Sequence, residues 1–583
     1  MKLAPLAMLL AACSYTAEAV DLIVHNAKIS TFDGKSYSGF SVTDGRFDTL
    51  SRDDEALLKT RQASTLVIDA KGKRVIPGMN DSHLHVVREG RFYNTETRWE
   101  GVDSLEKGLA LIRQSAKNTP PGQWVRVVGG WSPHQFKEKR MPTAEELTLA
   151  APNTPVFVLH LYSGGVLNKK AMAVLGIDKN TQPPKGSYYE KDASGEPTGR
   201  LVADPNPAIL YQTIAALPAL GEKEQRNSSQ HYYRKLLSLG VTSAVDAGGG
   251  GHLFPDNYQA SSQLAASGEL PLRVSFFLFP QVPGEELNHF TQWMSRYQAN
   301  QNQHLHMDNG FVVEGGGELL VWKASDYENF QAERPDLGEG AEKELEQVVR
   351  LHLLQGWPFR IHATYDESIT RMLDLFEKID KTQQLSAVRW IIDHAETVSD
   401  HNLERIKKLG GAIAVQGRMA FAGEDFLARY GEAQTRRSPP LKKMLAMGIP
   451  VGLGTDGTRV SSFNPWATYY WAVSGKTVGG TVLYGEENRL DRLTALKLFT
   501  EGSAYLSGEE RNKGQIAPGM YADFAVLNHD ILTVPERQLL DTRAELTVVD
   551  GKIRYASKSA FPTHYQAPPE VLPAWSPVTM ALD

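Results

Sequence analysis

The sequence predicts an α/β fold: a (β/α)8 TIM-type barrel with an insertion after its first strand and β-rich segments at both chain ends. Three features carry this. Between about residues 75 and 507, short apolar runs alternate with helical patterns, the rhythm of βα units around a parallel sheet. Ten such runs can be counted, and eight remain once a loop-rich stretch from about 90 to 215 is set aside. Four of the eight end in a side chain able to ligate a metal, at the strand ends where barrel folds concentrate their chemistry.

In chain order, residues 1–19 read as an export signal: Lys2 is a minimal basic region, Leu3 to Leu10 an apolar core, and small residues follow. The mature chain is therefore expected to be periplasmic or otherwise exported. Two processing sites compete. Ala17-Glu18-Ala19 is a small-x-small cleavage site, and Leu10-Ala11-Ala12-Cys13 reads as a lipobox whose Cys13 would carry a lipid anchor. Residues 20–74 alternate apolar and polar side chains across Asp-Gly turns, which predicts a small β-module. Residues 508–560 repeat that character around Asp550-Gly551, so the two pieces are either two modules or one sheet structure assembled from both ends.

The expected barrel strands are Val75 to Met79, Val241 to Ala247, Leu272 to Phe279, Phe311 to Leu320, Phe359 to His362, Arg389 to His394, Ala412 to Gln416 and Pro450 to Asp456. Val125 to Gly129 and Val156 to His160 fall in the insertion, which Pro and Gly clusters such as "NTPPGQW" and "TQPPKGSYY" mark as loop-rich. Beyond Phe561, five prolines predict an extended arm over 561–583.

Composition narrows the function classes. With 62 Lys plus Arg against 68 Asp plus Glu, a formal charge of -6 and no long basic run, a nucleic-acid partner is not indicated. The single cysteine excludes both an internal disulfide and a multi-thiolate zinc site, so any metal must be held by His, carboxylate or modified Lys. No apolar stretch past residue 20 reaches the ~18 residues that a membrane span needs.

The sharpest local pattern is "VIPGMNDSHLHV", in which His83 and His85 stand two apart and can face one metal from an extended strand. A lone His-x-His is weak, but His362 closes "PFRIHAT", His394 closes "RWIIDHAE" and Asp456 closes "PVGLGTDG". His304 and His306 repeat the spacing within a polar loop and are assigned no metal. His160 is read as structural, whereas His134 could touch substrate.

Together with "GGW" at 129–131, "GEPTGRL", "LGVTSAVDAG" and "GQIAPGMYADFAVLNHD", these motifs resemble the amidohydrolase superfamily over roughly residues 20 to 555. Within it, the chain is most similar to the YtcJ-like or amidohydrolase-3 branch that includes N-substituted formamide deformylase. The resemblance implies that 20–74 and 508–560 join into one composite β-sandwich domain beside a barrel over 75–507. It also maps metal ligands onto His83, His85, His362, His394 and Asp456.

Strand four departs from the pattern. Many members carry a carboxylated lysine there, whereas this strand reads "GFVVEGGGELLVW". Glu318 is the favoured bridging ligand, with Glu314, a carboxylated Lys323 or an unbridged single ion as alternatives. Glycines 315–317 are expected to let a ligand or metal approach the backbone.

The activity implied is hydrolysis of a C–N amide bond, N-formyl, N-acyl or cyclic, by water activated on one or two divalent ions, zinc first among them. Asp456 would be the general base, and Trp131, Tyr162 and Arg459 are the candidate contacts to a small-molecule substrate. Deamination is disfavoured because Tyr365 stands where nucleobase deaminases carry a glutamate. Ester, lactone or phosphoester hydrolysis on the same site stays open, as does a non-catalytic periplasmic binding or regulatory role. Oligomeric state also stays open, a homodimer included.

Overall fold

The computed structural model describes residues 19–299 and 310–581. Residues 1–18 of the expected export signal, with Cys13, and His304 and His306 lie outside them. Eight parallel strands form one sheet nearly closed into a barrel: β1 (Met79–Leu84), β2 (Val241–Asp246), β3 (Arg273–Leu278), β4 (Phe311–Gly316), β5 (Phe359–Ala363), β6 (Trp390–His394), β7 (Ala412–Gln416) and β8 (Val451–Gly454). Their side chains are almost all buried, as strands covered on both faces require. Each fully enclosed Val, Ile, Leu or Phe contributes roughly 1.5–3 kcal/mol. The ends meet where Asp456 N–H donates to the His83 carbonyl at 2.8 Å. Thr455 adds two bonds to the Asp81 carboxylate, from its N–H at 3.0 Å and its hydroxyl at 2.5 Å. Asp81 is therefore spent on joining β8 to β1.

The expected first strand divides in two. Arg74–Pro77 pairs with Lys28–Ser30 and Phe524–Leu527 in a six-stranded sheet, and the barrel strand begins only at Met79. The continuous apolar run hid this break, since Pro77, with no N–H to donate, and Gly78 carry the chain from one sheet to the other. The six-stranded sheet takes strands from both chain ends, and its core is shared with the four-stranded sheet of Leu22–His25, Gly39–Thr43, Arg46–Ser51 and Leu66–Asp69. Phe40 stands edge-on to both Phe47 and Phe524, at 5.0 Å in each case. Arg273 at the foot of β3 ties this unit to the barrel through Asp523 (2.9 Å) and Asp550 (3.2 Å).

Between β1 and β2, Val125–Val127, Val156–His160, Gly164–Leu167, Ser187–Lys191 and Pro197–Ala203 build a separate five-stranded sheet. The proline-rich C-terminal segment lies against helix Glu222–Ser238 and residue 94: Asn227 donates to the Glu570 carbonyl, and Ser576 to that of Asn94. None of the helices among the described residues is long and apolar enough to cross a membrane.

β4 is shorter than expected, ending at Gly316, so Glu318 sits in the loop beyond it. The three glycines before Glu318 serve packing, which corrects their expected role. A Cβ at 315 would strike the Pro358 carbonyl, at 316 the His352 ring and at 317 the Arg360 carbonyl. They let β4 approach β5 and helix Ala341–Gln355 closely.

Candidate metal centre

His83, His85, Glu318, His362, His394 and Asp456 converge at the C-terminal mouth of the barrel. All are buried except His362, which is partly buried. Glu318 sits at the centre. Its Oε2 lies 3.0 Å from His362 Nδ1, 3.0 Å from His394 Nε2 and 3.6 Å from His83 Nε2, while Oε1 lies 3.7 Å from His85 Nε2. Asp456 Oδ1 is 3.1 Å from His85 Nε2 and 3.6 Å from His83 Nε2. Two ligand sets share the one carboxylate: His83, His85 and Glu318, and Glu318, His362 and His394.

The backbone delivers these groups. Glu318 is pinned by its N–H to the Ala247 carbonyl (2.8 Å), and its own carbonyl accepts from His362 N–H (2.9 Å), so the ends of β2 and β5 fix its position. His394 and Asp456 occupy left-handed backbone conformations, φ 80° and 56°, as β6 and β8 turn into their loops. Such conformations cost about 1–3 kcal/mol each and cluster where geometry serves chemistry.

The rings are held from behind. Asp393 Oδ1 lies 3.2 Å from His83 Nδ1, and Asp393 is itself clasped by Arg360 through two contacts, one at 2.8 Å. Burial alone would raise the Asp393 carboxyl, but the Arg360 charge and the His83 ring bring its pKa down to about 2, so it stays ionised. His85 Nδ1 is 2.7 Å from the Gly248 carbonyl, which turns Nε2 toward Asp456. His362 Nε2 lies 3.3 Å from Glu328, which pairs with Arg418 at 2.9 Å. Against the upward push of burial, the surrounding histidines hold both Glu318 and Asp456 well below the usual carboxylate range.

These residues fit a divalent cation. His83 Nε2 and His394 Nδ1 are sealed from solvent without a hydrogen-bond partner, and two anionic carboxylates face four imidazoles. A neutral imidazole whose far nitrogen is held by a carboxylate or carbonyl is the arrangement that metal ligation favours. Lys323 is excluded as a ligand: its ammonium is half exposed and pairs with Glu344 at 2.6 Å. Glu314 is buried but belongs to none of the three ligand clusters found among the described residues.

The candidate substrate contacts divide. Tyr162 lines the narrow cavity over the ligands, and Arg459 lines a larger adjoining cavity of about 620 Å³. Trp131 lies elsewhere, a correction to its expected role. Its indole is buried in the insertion's own core, stacked on Phe136, and donates to the Leu159 carbonyl at 3.0 Å. The useful part of "GGW" is Gly129: at φ 152°, it presses so closely on the Thr458 backbone that a Cβ would strike the carbonyl. His134 lines a separate surface cavity with His160. Sequence reading missed Arg88, Tyr211, Trp322 and Tyr327, which line both the narrow and the larger cavity. Arg88 alone carried a signal, three residues after His85 and just beyond that motif.

Comparison with known proteins agrees with this geometry. The model of the amidohydrolase family matches residues 66–555. The chain is 25% identical over 556 residues to N-substituted formamide deformylase of Arthrobacter pascens, covering 92% of this chain and 98% of that one. It is 25% identical over 507 residues to the putative amidohydrolase YtcJ of Bacillus subtilis, covering 84% and 90%. Among solved structures, an uncharacterised metal-dependent hydrolase of Pyrococcus furiosus superposes with a TM-score of 0.60 at 25% identity, covering 88% of this chain and all of that one. The chain belongs to the amidohydrolase family, with a barrel-mouth cluster of histidines and carboxylates suited to a divalent metal.

Proposed function

We propose that the protein hydrolyses a C–N amide bond of a small molecule, N-formyl, N-acyl or cyclic, and that His83, His85, Glu318, His362, His394 and Asp456 would hold the one or two divalent ions, zinc first among them, that this chemistry uses. The observation that carries this is the central place of the Glu318 carboxylate: Oε2 faces His83, His362 and His394, and Oε1 faces His85. Imidazole and carboxylate ligands suit zinc, and the absence of thiolates beyond Cys13 removes the softer alternatives. The similarity to a formamide deformylase supports the amide bond as the target.

A divalent ion in this site would lower the pKa of a coordinated water from 15.7 toward roughly 7 and polarise the scissile carbonyl. Asp456 accepts the proton of the attacking water and returns it to the departing nitrogen, which contributes about 10²- to 10⁴-fold. Water adds oxygen to the carbonyl carbon, the C–N bond breaks, and the products are a carboxylate and an amine. Asp393, Glu328 and the Gly248 carbonyl act behind the ligands, keeping His83, His362 and His85 in the orientation that leaves a nitrogen facing the centre.

The test is a screen of N-formyl, N-acyl and cyclic amides against protein loaded with Zn, Mn or Co, with metal content measured on the same samples. Amide turnover that follows metal content supports the reading. Turnover restricted to esters, lactones or phosphoesters, or protein that binds no metal, would overturn it.

A further inference from the structure

Beyond the metal ligands the site opens unevenly. The narrow end holds about 50 Å³ and the adjoining cavity about 620 Å³. The large cavity is walled by Phe92, Val128, Ile214 and Leu217, yet three arginines also line it: Arg126, which donates to the Pro218 carbonyl at 3.0 Å, and Arg88 and Arg459. Arg88 lines both spaces and Arg459 the larger, and each is only 6% exposed. Neither forms an ion pair or hydrogen bond with any described residue. The Arg459 guanidinium carbon lies over the face of the Tyr211 ring, 5.3 Å from its centre, and Nη1 is sealed from solvent without a hydrogen-bond partner.

Burying an unpaired cation is expensive, and two facing one apolar cavity are kept only where something compensates them. The acids nearby serve only in part: the charges of Asp456 and Glu89 act on the buried Arg88 through space, without a bond to it. Glu96 pairs with Arg98 at 2.9 Å, while Glu89 is taken by Arg98 and the Thr458 hydroxyl.

Resting on the amide-hydrolase reading, we propose that the substrate is a short N-acyl amino acid with an apolar side chain, whose carboxylate binds Arg88 and Arg459. The small acyl group enters the narrow end, the side chain fills the large cavity, and the carboxylate, a few bonds from the scissile carbonyl, lies at the junction. Arginine suits this role because its planar fork pairs with both carboxylate oxygens. The close approach of Gly129 to Thr458 sets the backbone from which Arg459 projects, so the insertion positions the anion site.

The experiment compares N-formylphenylalanine, in each enantiomer, with N-formylphenylalaninamide and neutral N-benzylformamide on zinc-loaded wild-type, Arg459→Gln and Arg459→Lys protein. Wild type should favour one enantiomer of the acid over its amide by ~10- to 100-fold in kcat/KM, the worth of one charge-assisted pairing. Arg459→Gln should abolish that preference through KM, and Arg459→Lys should restore part of it. Hydrolysis of N-benzylformamide with no preference for the acid overturns the anion site and leaves amide hydrolysis standing. If no amide is hydrolysed, the hydrolase reading fails and binding decides the anion site. Calorimetry with 3-phenylpropionate and 3-phenylpropanamide should then show about tenfold tighter binding of the acid to wild type, lost in Arg459→Gln. Equal binding of acid and amide, or acid binding untouched by Arg459→Gln as when the carboxylate sits on the metal instead, overturns the proposal.

Discussion

Glu318 carries more of the site than any other side chain, because three histidines lie within 3.6 Å of its Oε2. Glu318→Ala should lower metal content toward one ion or none and cut turnover by orders of magnitude. Lys323→Ala, which removes only an exposed pair with Glu344, should leave both nearly intact. Metal analysis of the two variants checks this, and the reverse order would refute it. Behind the ligands, Asp393→Asn would remove the ionised partner that fixes the His83 ring. We expect a loss of about 10- to 100-fold in metal affinity with the fold retained, read by chelator competition.

At the scale of elements, the insertion and the loop after β8 meet at one backbone contact. Gly129 adopts a positive φ of 152° and leaves no room for a Cβ against Thr458. Gly129→Ala should therefore cost about 1–3 kcal/mol and, by displacing the neighbouring Arg459, raise KM more than it lowers kcat. Denaturant melts and steady-state kinetics on the same sample would show this, and an unchanged KM would sever the insertion from substrate binding. A second buried contact joins β4 to helix Ala341–Gln355, where His352 lies between Phe290 and Phe359 with Nδ1 2.8 Å from the Val348 carbonyl. Burial lowers its pKa from 6.5 to about 4. Because the folded value is depressed, the unfolded chain takes up the proton first as pH falls. Stability is then full above about pH 6.5 and declines toward pH 4, by about 3 kcal/mol for this group. His352→Asn, whatever its cost at pH 8, should show a shallower loss of stability across that window; identical slopes would disprove the assignment.

For the whole molecule, export should remove the first residues. Intact-mass measurement should find no mature chain beginning at Met1, and lipobox processing would add a membrane-fraction location that Cys13→Ala abolishes. Mature protein that retains Met1 refutes both routes. The barrel and the unit built from both chain ends are joined through the buried Arg273–Asp523 pair, so removing the C-terminal strands should unfold the N-terminal β-strands as well. Limited proteolysis of a chain truncated before Phe524 would test this.

The residues near the metal centre were legible because they obey local rules. Apolar runs of strand length mark β5 to β8, and a His or Asp at the end of each of β5, β6 and β8 needs no long-range information to be noticed. Strand bounds at β1 were not legible, since hydropathy alone cannot tell that Arg74–Pro77 pairs with a strand some 450 residues away. Nor could spacing rank Glu318 against Glu314 and Lys323: which side chain faces the centre depends on where β4 stops and on the bonds from Ala247 and His362. The pairing of Asp393 with Arg360, the location of Trp131 in a separate core and the two unpaired arginines of the cavity are likewise products of distant segments brought together. Sequence by itself determined the strand order and the chemistry available at the strand ends, because both follow from local pattern. Tertiary structure decided which of those groups meet and which charges are left unpaired, because burial and contact depend on residues far apart in the chain.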